Sequence, residues 1–325
     1  MNKSGQQGRP VVAVTALEYR KGGDVFSGAS DFDMRSAPAD EAALAAWIRE
    51  NGASAAVVGT APYRGELYRA LPRGGAVVRF GVGCDGIDRA AAAQAGVVCA
   101  NTPGVLDDAV AEFAVGLMLS AARRIAGTGG AVRSGEWPQP SGAELRGKKL
   151  LIVGCGAIGC RVAAIAGFGF GMRVAGCGVS PEPPAGARFD EYGTDFVRLA
   201  ADADVVSLHI PDTPKNRRFL NAERLAVLPA RAIVVNTARG AVLDENALFD
   251  AVSSGRLAGA GLDVFTVEPY VPQDPARDLR TLETVVMTPH LAGNTLESCR
   301  RVAERVMKNL RCAFAGDRSG MDLVE

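Results

Sequence analysis

Short runs of β-branched and other apolar residues, each closed by Gly, Pro, Asn or Asp, recur along this chain with helical patterns between them. That alternation is the sequence form of parallel strands joined by crossover helices, and it predicts an α/β protein. The first run is Val11 to Thr15. A helix is expected from Glu41 to Glu50, where Leu44, Trp47 and Ile48 fall on one face and Asn51-Gly52 supplies the stop. Strands follow at Ser54 to Gly59, Ala76 to Phe80 and Gly96 to Ala100, with a short helix ending near Leu71, which makes a small doubly wound domain. Asn101-Thr102-Pro103-Gly104 interrupts the pattern ahead of Asp108 to Ile125, the longest apolar helix of the chain. Its Ala, Val, Leu and Met residues cover more than one face, which predicts burial between domains or between subunits. A second α/β series then offers six strands, near Lys149 to Val153, Met172 to Cys177, Asp204 to His209, Ala232 to Asn236, Ala258 to Asp263 and Thr284 to Met287. A last helix, from about Thr295 to Ala315, is expected to return to the first domain. The predicted division is therefore 1–104 with 293–325, against 105–292.

A length of 325 residues exceeds what one core usually serves and agrees with two domains. Lys plus Arg equals Asp plus Glu at 36 each, so no global electrostatic footprint points to nucleic acid or an anionic membrane. A small-molecule partner is expected instead. The seven cysteines are scattered, without the paired spacing of a zinc site, and no metal site is predicted. Most read as small buried residues of a reducing compartment. The N-terminal MNKSGQQGRP has no apolar signal core, and Ala109 to Ala122 is too short to span a bilayer and carries Glu112. The cytoplasm is the expected location.

Two stretches match G-x-G-x-x-G, Gly81 to Gly86 and Gly154 to Gly159. The pattern alone is weak, and context separates the copies. After Gly159 come a helix, Cys160 to about Phe168, and a strand, which complete a βαβ unit of roughly 30 residues. After Gly86 the next strand arrives too soon. At the second copy, strand Leu150 to Val153 delivers the turn, bare Gly154 and Gly156 admit a pyrophosphate, and a helix N-terminus faces its charge. Gly159 allows close helix–strand packing. A nicotinamide dinucleotide is the expected ligand, against the blander reading of an ordinary βα turn. A third run, Gly167 to Gly171, reads as a helix C-cap. The acidic residue that normally ends the second strand and grips the ribose is missing, because Gly178 stands there, followed by Val179 and Ser180. Ser180 offers a donor to a phosphate, but no Arg is adjacent, so NAD and NADP both stay open.

Three further strand ends concentrate reactive residues: Asn236-Thr237-Ala238-Arg239-Gly240, Gly261 to Phe265 running on to Glu268-Pro269, and Thr288-Pro289-His290. Ligands of open α/β sheets bind at such carboxyl ends. With VGCGAIG, NTARG, GLDVFTVEP and TPHLAGNT in order, and GVGCDGID, NTPGVLDDAVAEFAVGLML and the Trp137 loop before them, the chain resembles the D-2-hydroxyacid dehydrogenases over nearly its whole length. The resemblance implies a Rossmann dinucleotide-binding domain and a smaller flavodoxin-like substrate domain. It also implies substrate in the cleft between them and a long helix contributing to a homodimer. Carried over, Arg239 binds the substrate carboxylate and keto oxygen, His290 gives and takes the proton, and Glu268 pairs with His290. Val82 and Gly83 offer backbone N–H groups to the carboxylate, so the first glycine stretch becomes a substrate loop. Along the cofactor lie Ala157 and Ile158 of the turn, Ser180, His209 and Pro211 of HIPDTP, Thr237, Ala238, and Asp263, which accepts from the carboxamide. The roles are physically sensible: a histidine beside a carboxylate holds a proton near neutral pH, and the planar Arg fork matches a carboxylate.

Each residue has a plainer reading. His290 alone would be a hydrogen-bonded structural histidine, Arg239 an exposed loop cation, and Asp263 a turn cap. His209 reads as pocket wall rather than proton shuttle, and Tyr63 with Arg64 is a weak candidate for selecting a polar substrate tail. The implied reaction interconverts a small 2-keto acid and its D-2-hydroxy acid, with glyoxylate, hydroxypyruvate and phosphoglycerate-type substrates compatible. Phosphoglycerate is less favoured because the chain ends soon after the returning helix. Formate is disfavoured by Glu rather than Gln at position 268, whereas phosphite oxidation uses a similar residue set. The other class of function is a dinucleotide-sensing dimeric regulatory protein of the same fold.

Overall fold

The computed structural model describes residues 8–324. They fall into two compact units, a first that runs to Leu106 and resumes at Asn294, and a second from Asp107 to Gly293. In the first unit β1 (Val11–Thr15), α1 (Ala16–Ser27), β2 (Asp33–Ala37), α2 (Glu41–Asn51), β3 (Ala55–Val58), α3 (Glu66–Ala70), β4 (Ala76–Arg79), α4 (Arg89–Ala95) and β5 (Val98–Ala100) alternate. The sheet is parallel with order β2-β1-β3-β4-β5, the 2-1-3-4-5 order of flavodoxin-like folds. Local chemistry sets the helix limits. The Asp40 side chain accepts from Ala43 N–H to start α2, and Gly52 at φ 63° ends it, as Asn51-Gly52 predicted.

The second unit opens with α5 (Asp107–Arg123) and α6 (Ile125–Arg133), followed by β6 (Lys149–Val153), α7 (Ala157–Ala164), β7 (Arg173–Cys177), β8 (Glu191–Gly193), α8 (Phe196–Ala200) and β9 (Val205–Leu208). It continues through α9 (Ala222–Val227), β10 (Ile233–Asn236), α10 (Glu245–Ser253), β11 (Gly259–Leu262) and β12 (Val285–Met287). All seven strands are parallel in the order β12-β11-β10-β9-β6-β7-β8. Counted from β6 this is the dinucleotide-binding order 3-2-1-4-5-6 with one strand added, and it reverses between β6 and β9. The fold class expected from the sequence is therefore present in both units. α11 (Leu296–Ala315) belongs to the first unit, where Val302, Ala303, Val306, Met307 and Leu310 pack with Val12, Val14, Val57 and Val78.

Two expectations need correction. The second sheet has seven strands rather than six, because β8 is a three-residue edge strand whose Glu191-Tyr192-Gly193 carries no apolar run. One apolar face of α5 is placed within the second unit, where Ala111, Ala114, Leu117 and Met118 join the core under β6 and β10 and Gly261 keeps room for Leu117. Finally, the helix after the glycine turn starts at Ala157 and passes into a wider turn, Ile165–Gly169, before Gly171 takes a left-handed conformation at φ 62°.

Candidate active site

The carboxyl ends of β6 and β9 flank the point where the second sheet reverses, and the glycine turn sits there. Gly154 has φ 95°, and a Cβ on it would stand 2.5 Å from the His209 carbonyl oxygen, so only glycine lets the two strand ends pass. A Cβ on Gly159 would meet the Gly154 carbonyl at 2.1 Å, which is the close helix–strand approach expected of the motif. Gly156 differs, because a Cβ there would meet nothing within 4 Å. It is the N-cap of α7 and supplies no side-chain cap, so the first N–H groups of the helix, those of Ala157 and Ile158, make no hydrogen bond among the described residues. Across the same sheet edge, the Thr237 hydroxyl is buried without a hydrogen-bond partner. Open space, unengaged donors and an orphaned hydroxyl together fit a dinucleotide, with its pyrophosphate at the start of α7.

His209 stands at the end of β9 with its ring bonded to Ser207 Oγ at 2.8 Å. Burial pulls its imidazole down to about 4, so the ring is neutral near pH 7. In the unfolded chain the same ring titrates near 6.5. Its stabilising share is thus complete above that pH and is lost as pH falls from 6.5 toward 4, where only the unfolded chain takes the proton. We expect wild type to lose up to about 3 kcal/mol more than His209→Gln between pH 7 and pH 4 in urea unfolding. Equal losses would show that the ring is not held neutral. Pro211 accepts from Asn216 Nδ2 through its carbonyl, and Ser180 is exposed in a turn where its hydroxyl accepts from Glu182 N–H.

The reactive residues are assembled by two crossings of backbone. At the end of β10 the buried Asn236 folds the chain back, accepting from Ala238 N–H and donating to the Arg239 carbonyl. Gly240 then passes so close to the chain after β11 that a Cβ would lie 1.9 Å from the Phe265 carbonyl carbon. This brings Arg239 into the electrostatic surroundings of Glu268. The buried Glu245, unmarked by any sequence signal, braces the crossing by accepting from Thr266 N–H at 2.6 Å.

The second crossing carries His290, which has φ 55°, a conformation that costs a side-chain residue roughly 1–3 kcal/mol. Asp263 holds it there. Its carbonyl accepts from His290 N–H at 2.8 Å, Oδ1 accepts from Thr288 Oγ1 and Leu291 N–H, and Oδ2 accepts from Ala292 N–H. Asp263 is fully buried and keeps one acceptor position on Oδ2. So placed, His290 Nδ1 lies 2.7 Å from Glu268 Oε2, while Glu268 Oε1 accepts from Phe265 N–H. Burial pushes the Glu268 carboxyl up, but the His290 and Phe265 hydrogen bonds and the His290 and Arg239 charges outweigh it and hold it below the ordinary value.

In the first unit, Asn101 Nδ2 donates to the Val82 carbonyl at 2.7 Å and fixes the loop after β4. The N–H groups of Val82 and Gly83 make no hydrogen bond among the described residues. Tyr63 does not fit its expected role, because it is wholly buried and its hydroxyl donates to the Ala39 carbonyl. Arg64 is exposed. Among the described residues no helix is long and apolar enough to cross a membrane.

Residues 115–292 match the family described as D-isomer specific 2-hydroxyacid dehydrogenase, NAD binding domain. The chain is 40% identical over 259 residues to a glyoxylate reductase of Thermococcus litoralis, covering 77% of this chain and 76% of that protein. It is 41% identical over 241 residues to a hydroxypyruvate reductase of Thermotoga maritima, covering 72% and 77%. The crystal structure of an NADPH-dependent glyoxylate/hydroxypyruvate reductase from Sinorhizobium meliloti, in complex with NADP and malonate, superposes with a TM-score of 0.79 at 30% identity over 94% of each chain. The glycine turn, the strand-end residues and these relatives agree, and the chain belongs to the family of D-isomer specific 2-hydroxyacid dehydrogenases.

Proposed function

We propose that this NAD(P)-dependent oxidoreductase interconverts a small 2-keto acid and its D-2-hydroxy acid, with His290 as acid and base, Glu268 as its partner and Arg239 on the substrate carboxylate. The observation that carries this reading is the 2.7 Å contact between His290 Nδ1 and Glu268 Oε2. It fixes the ring so that Nδ1–H points to the carboxylate, and Nε2, without a partner among the described residues, is the nitrogen that exchanges a proton with substrate. In reduction, Nε2–H passes its proton to the keto oxygen as that oxygen gains charge, and the ring becomes neutral while keeping Nδ1–H on Glu268. The Glu268 carboxylate accepts from Nδ1–H before and after the step and so keeps Nε2 as the exchanging nitrogen. Arg239 presents a charged planar fork that matches a carboxylate and polarises the adjacent carbonyl. Within the first unit, the unengaged N–H groups of Val82 and Gly83 are the donors we assign to substrate.

When bound, the nicotinamide dinucleotide supplies or receives the hydride at substrate C2. We assign its pyrophosphate to the backbone of Gly154, Gly156, Ala157, Ile158 and Gly159. Its nicotinamide side goes to Thr237, Ala238 and Asp263, and its adenosine side to Ser180, His209 and Pro211. Glyoxylate and hydroxypyruvate, the substrates in the names of the two relatives, are the substrates we expect. Mixing the protein with NADH or NADPH and a panel of 2-keto acids tests this directly. Absorbance at the reduced-nicotinamide band should fall with these two acids and with few larger ones. A protein that binds the dinucleotide and turns over no acid would instead be a sensor.

A further inference from the structure

The end of β7 is built in an unusual way. Gly176 and Gly178 lie on the same face of the strand, and Tyr192, paired with Gly176 on the neighbouring β8, lays its ring lengthwise over both. A Cβ on Gly176 would stand 2.6 Å from Tyr192 Cδ2, and one on Gly178 would stand 2.0 Å from the Tyr192 hydroxyl oxygen. Phe189 supports the ring from the side, with centroids 5.4 Å apart. The hydroxyl therefore occupies the point from which a side chain at position 178 would emerge. It is accessible and has no hydrogen-bond partner among the described residues. Its surroundings include Cys155 and Cys160, the residues within and directly after the glycine turn.

We propose that Tyr192 reads the adenosine ribose, its neutral hydroxyl replacing the usual carboxylate, so that this chain takes a 2′-phosphorylated dinucleotide at least as readily as the unphosphorylated one. The inference rests on the reading of Gly154–Gly159 as the dinucleotide turn. A carboxylate at the end of the second strand accepts from the ribose 2′-hydroxyl and repels a 2′-phosphate. A phenol donates to the phosphate and repels neither form. No acidic side chain can enter from position 178 while Tyr192 stands there. The only cation of the 180–190 segment, Arg188, lines a cavity of about 890 Å³ together with Gly156 and Ala157, and the segment also carries Glu182 and Asp190.

Calorimetry with ADP-ribose and 2′-phospho-ADP-ribose tests this without any turnover. Wild type should bind the phosphorylated ligand with a dissociation constant equal to or below that of ADP-ribose. Tyr192→Phe keeps the ring over Gly176 and Gly178 and should weaken the phosphorylated ligand about tenfold, the size of one hydrogen bond to a charged group. The paired change Gly178→Asp with Tyr192→Ala should turn the preference toward ADP-ribose. Tyr192→Phe binding both ligands as wild type does would overturn the proposal, as would a wild-type preference for ADP-ribose of tenfold or more. Failure of wild type to bind either ligand would instead overturn the reading of the glycine turn, and this inference with it.

Discussion

His290→Gln should bind the dinucleotide as wild type does and reduce a 2-keto acid about a hundred to ten thousand times more slowly, the range over which a positioned acid acts. Glutamine keeps a side-chain amide near Glu268, so the 2.7 Å contact has a neutral substitute and the loop need not move. What disappears is the ring nitrogen that gives up the proton. The loss should therefore fall on kcat, with KM little changed, because the proton is needed only as charge develops on the keto oxygen. Stopped-flow reduction under saturating cofactor separates the two constants. Near-normal single-turnover rates in this variant would remove His290 from the role proposed.

Arg239→Gln should lower kcat/KM by roughly 2–5 kcal/mol, or about thirtyfold to several thousandfold, because substrate then brings an unpaired carboxylate to the site. Arg239→Lys should recover only part of this, since an ammonium keeps the charge and loses the fork. The arginine has a second effect that a simple substrate clamp would not. Its charge helps to hold the Glu268 carboxyl down, so in Arg239→Gln that carboxyl should protonate at higher pH. Glu268 is depressed in the folded enzyme, and its pairing with His290 is present at high pH and lost as pH falls through its folded value. The acid limb of the kcat profile should accordingly move upward in the variant. An unchanged limb would show that Arg239 and Glu268 are not coupled.

Much of the arrangement is legible in the chain because strand ends and turns carry strong local chemistry. The strand Lys149–Val153, the glycine turn and the stop at Gly52 are each dictated by residues within a few positions. Likewise NTARG and TPHLAGNT mark the ends of β10 and β12, where Arg239 and His290 stand. The strands that escaped, β2 and β8, are sheet edges made of Asp-Met-Arg-Ser-Ala and Glu-Tyr-Gly. An edge strand faces solvent and needs no apolar run, so periodicity is silent there. α1 escaped for a different reason. Gly22 and Gly23 interrupt its pattern, and Gly22 is required because the Phe26 ring lies where its Cβ would be.

The parts of the site that could not be read are those that act across the sequence. Glu245 braces the chain at Thr266, 21 positions away, and nothing near it announces a buried carboxylate. Asp263 was visible as a polar residue at a strand end, but its hold on His290 depends on residues 288 to 292 folding back over it. Tyr192 became meaningful only when β8 was placed beside β7, because glycine at 178 read in isolation looks like the simple loss of a ligand.

The placement of α11 has a consequence for how the protein is made. Leu310, Met307 and Val306 fill the same core as Val12, Val57 and Val78, yet the intervening residues 107–293 leave the ribosome first. At ordinary synthesis rates that interval is about 10–40 s, during which one apolar face of the first sheet has Phe26 and Phe32 over it but lacks α11. The second unit is complete before the first, although it is encoded later. A nascent chain thus carries the strands of its first sheet through that interval short of α11, and a chaperone that shields Val12, Val14 and Val57 would have to let go only as α11 arrives.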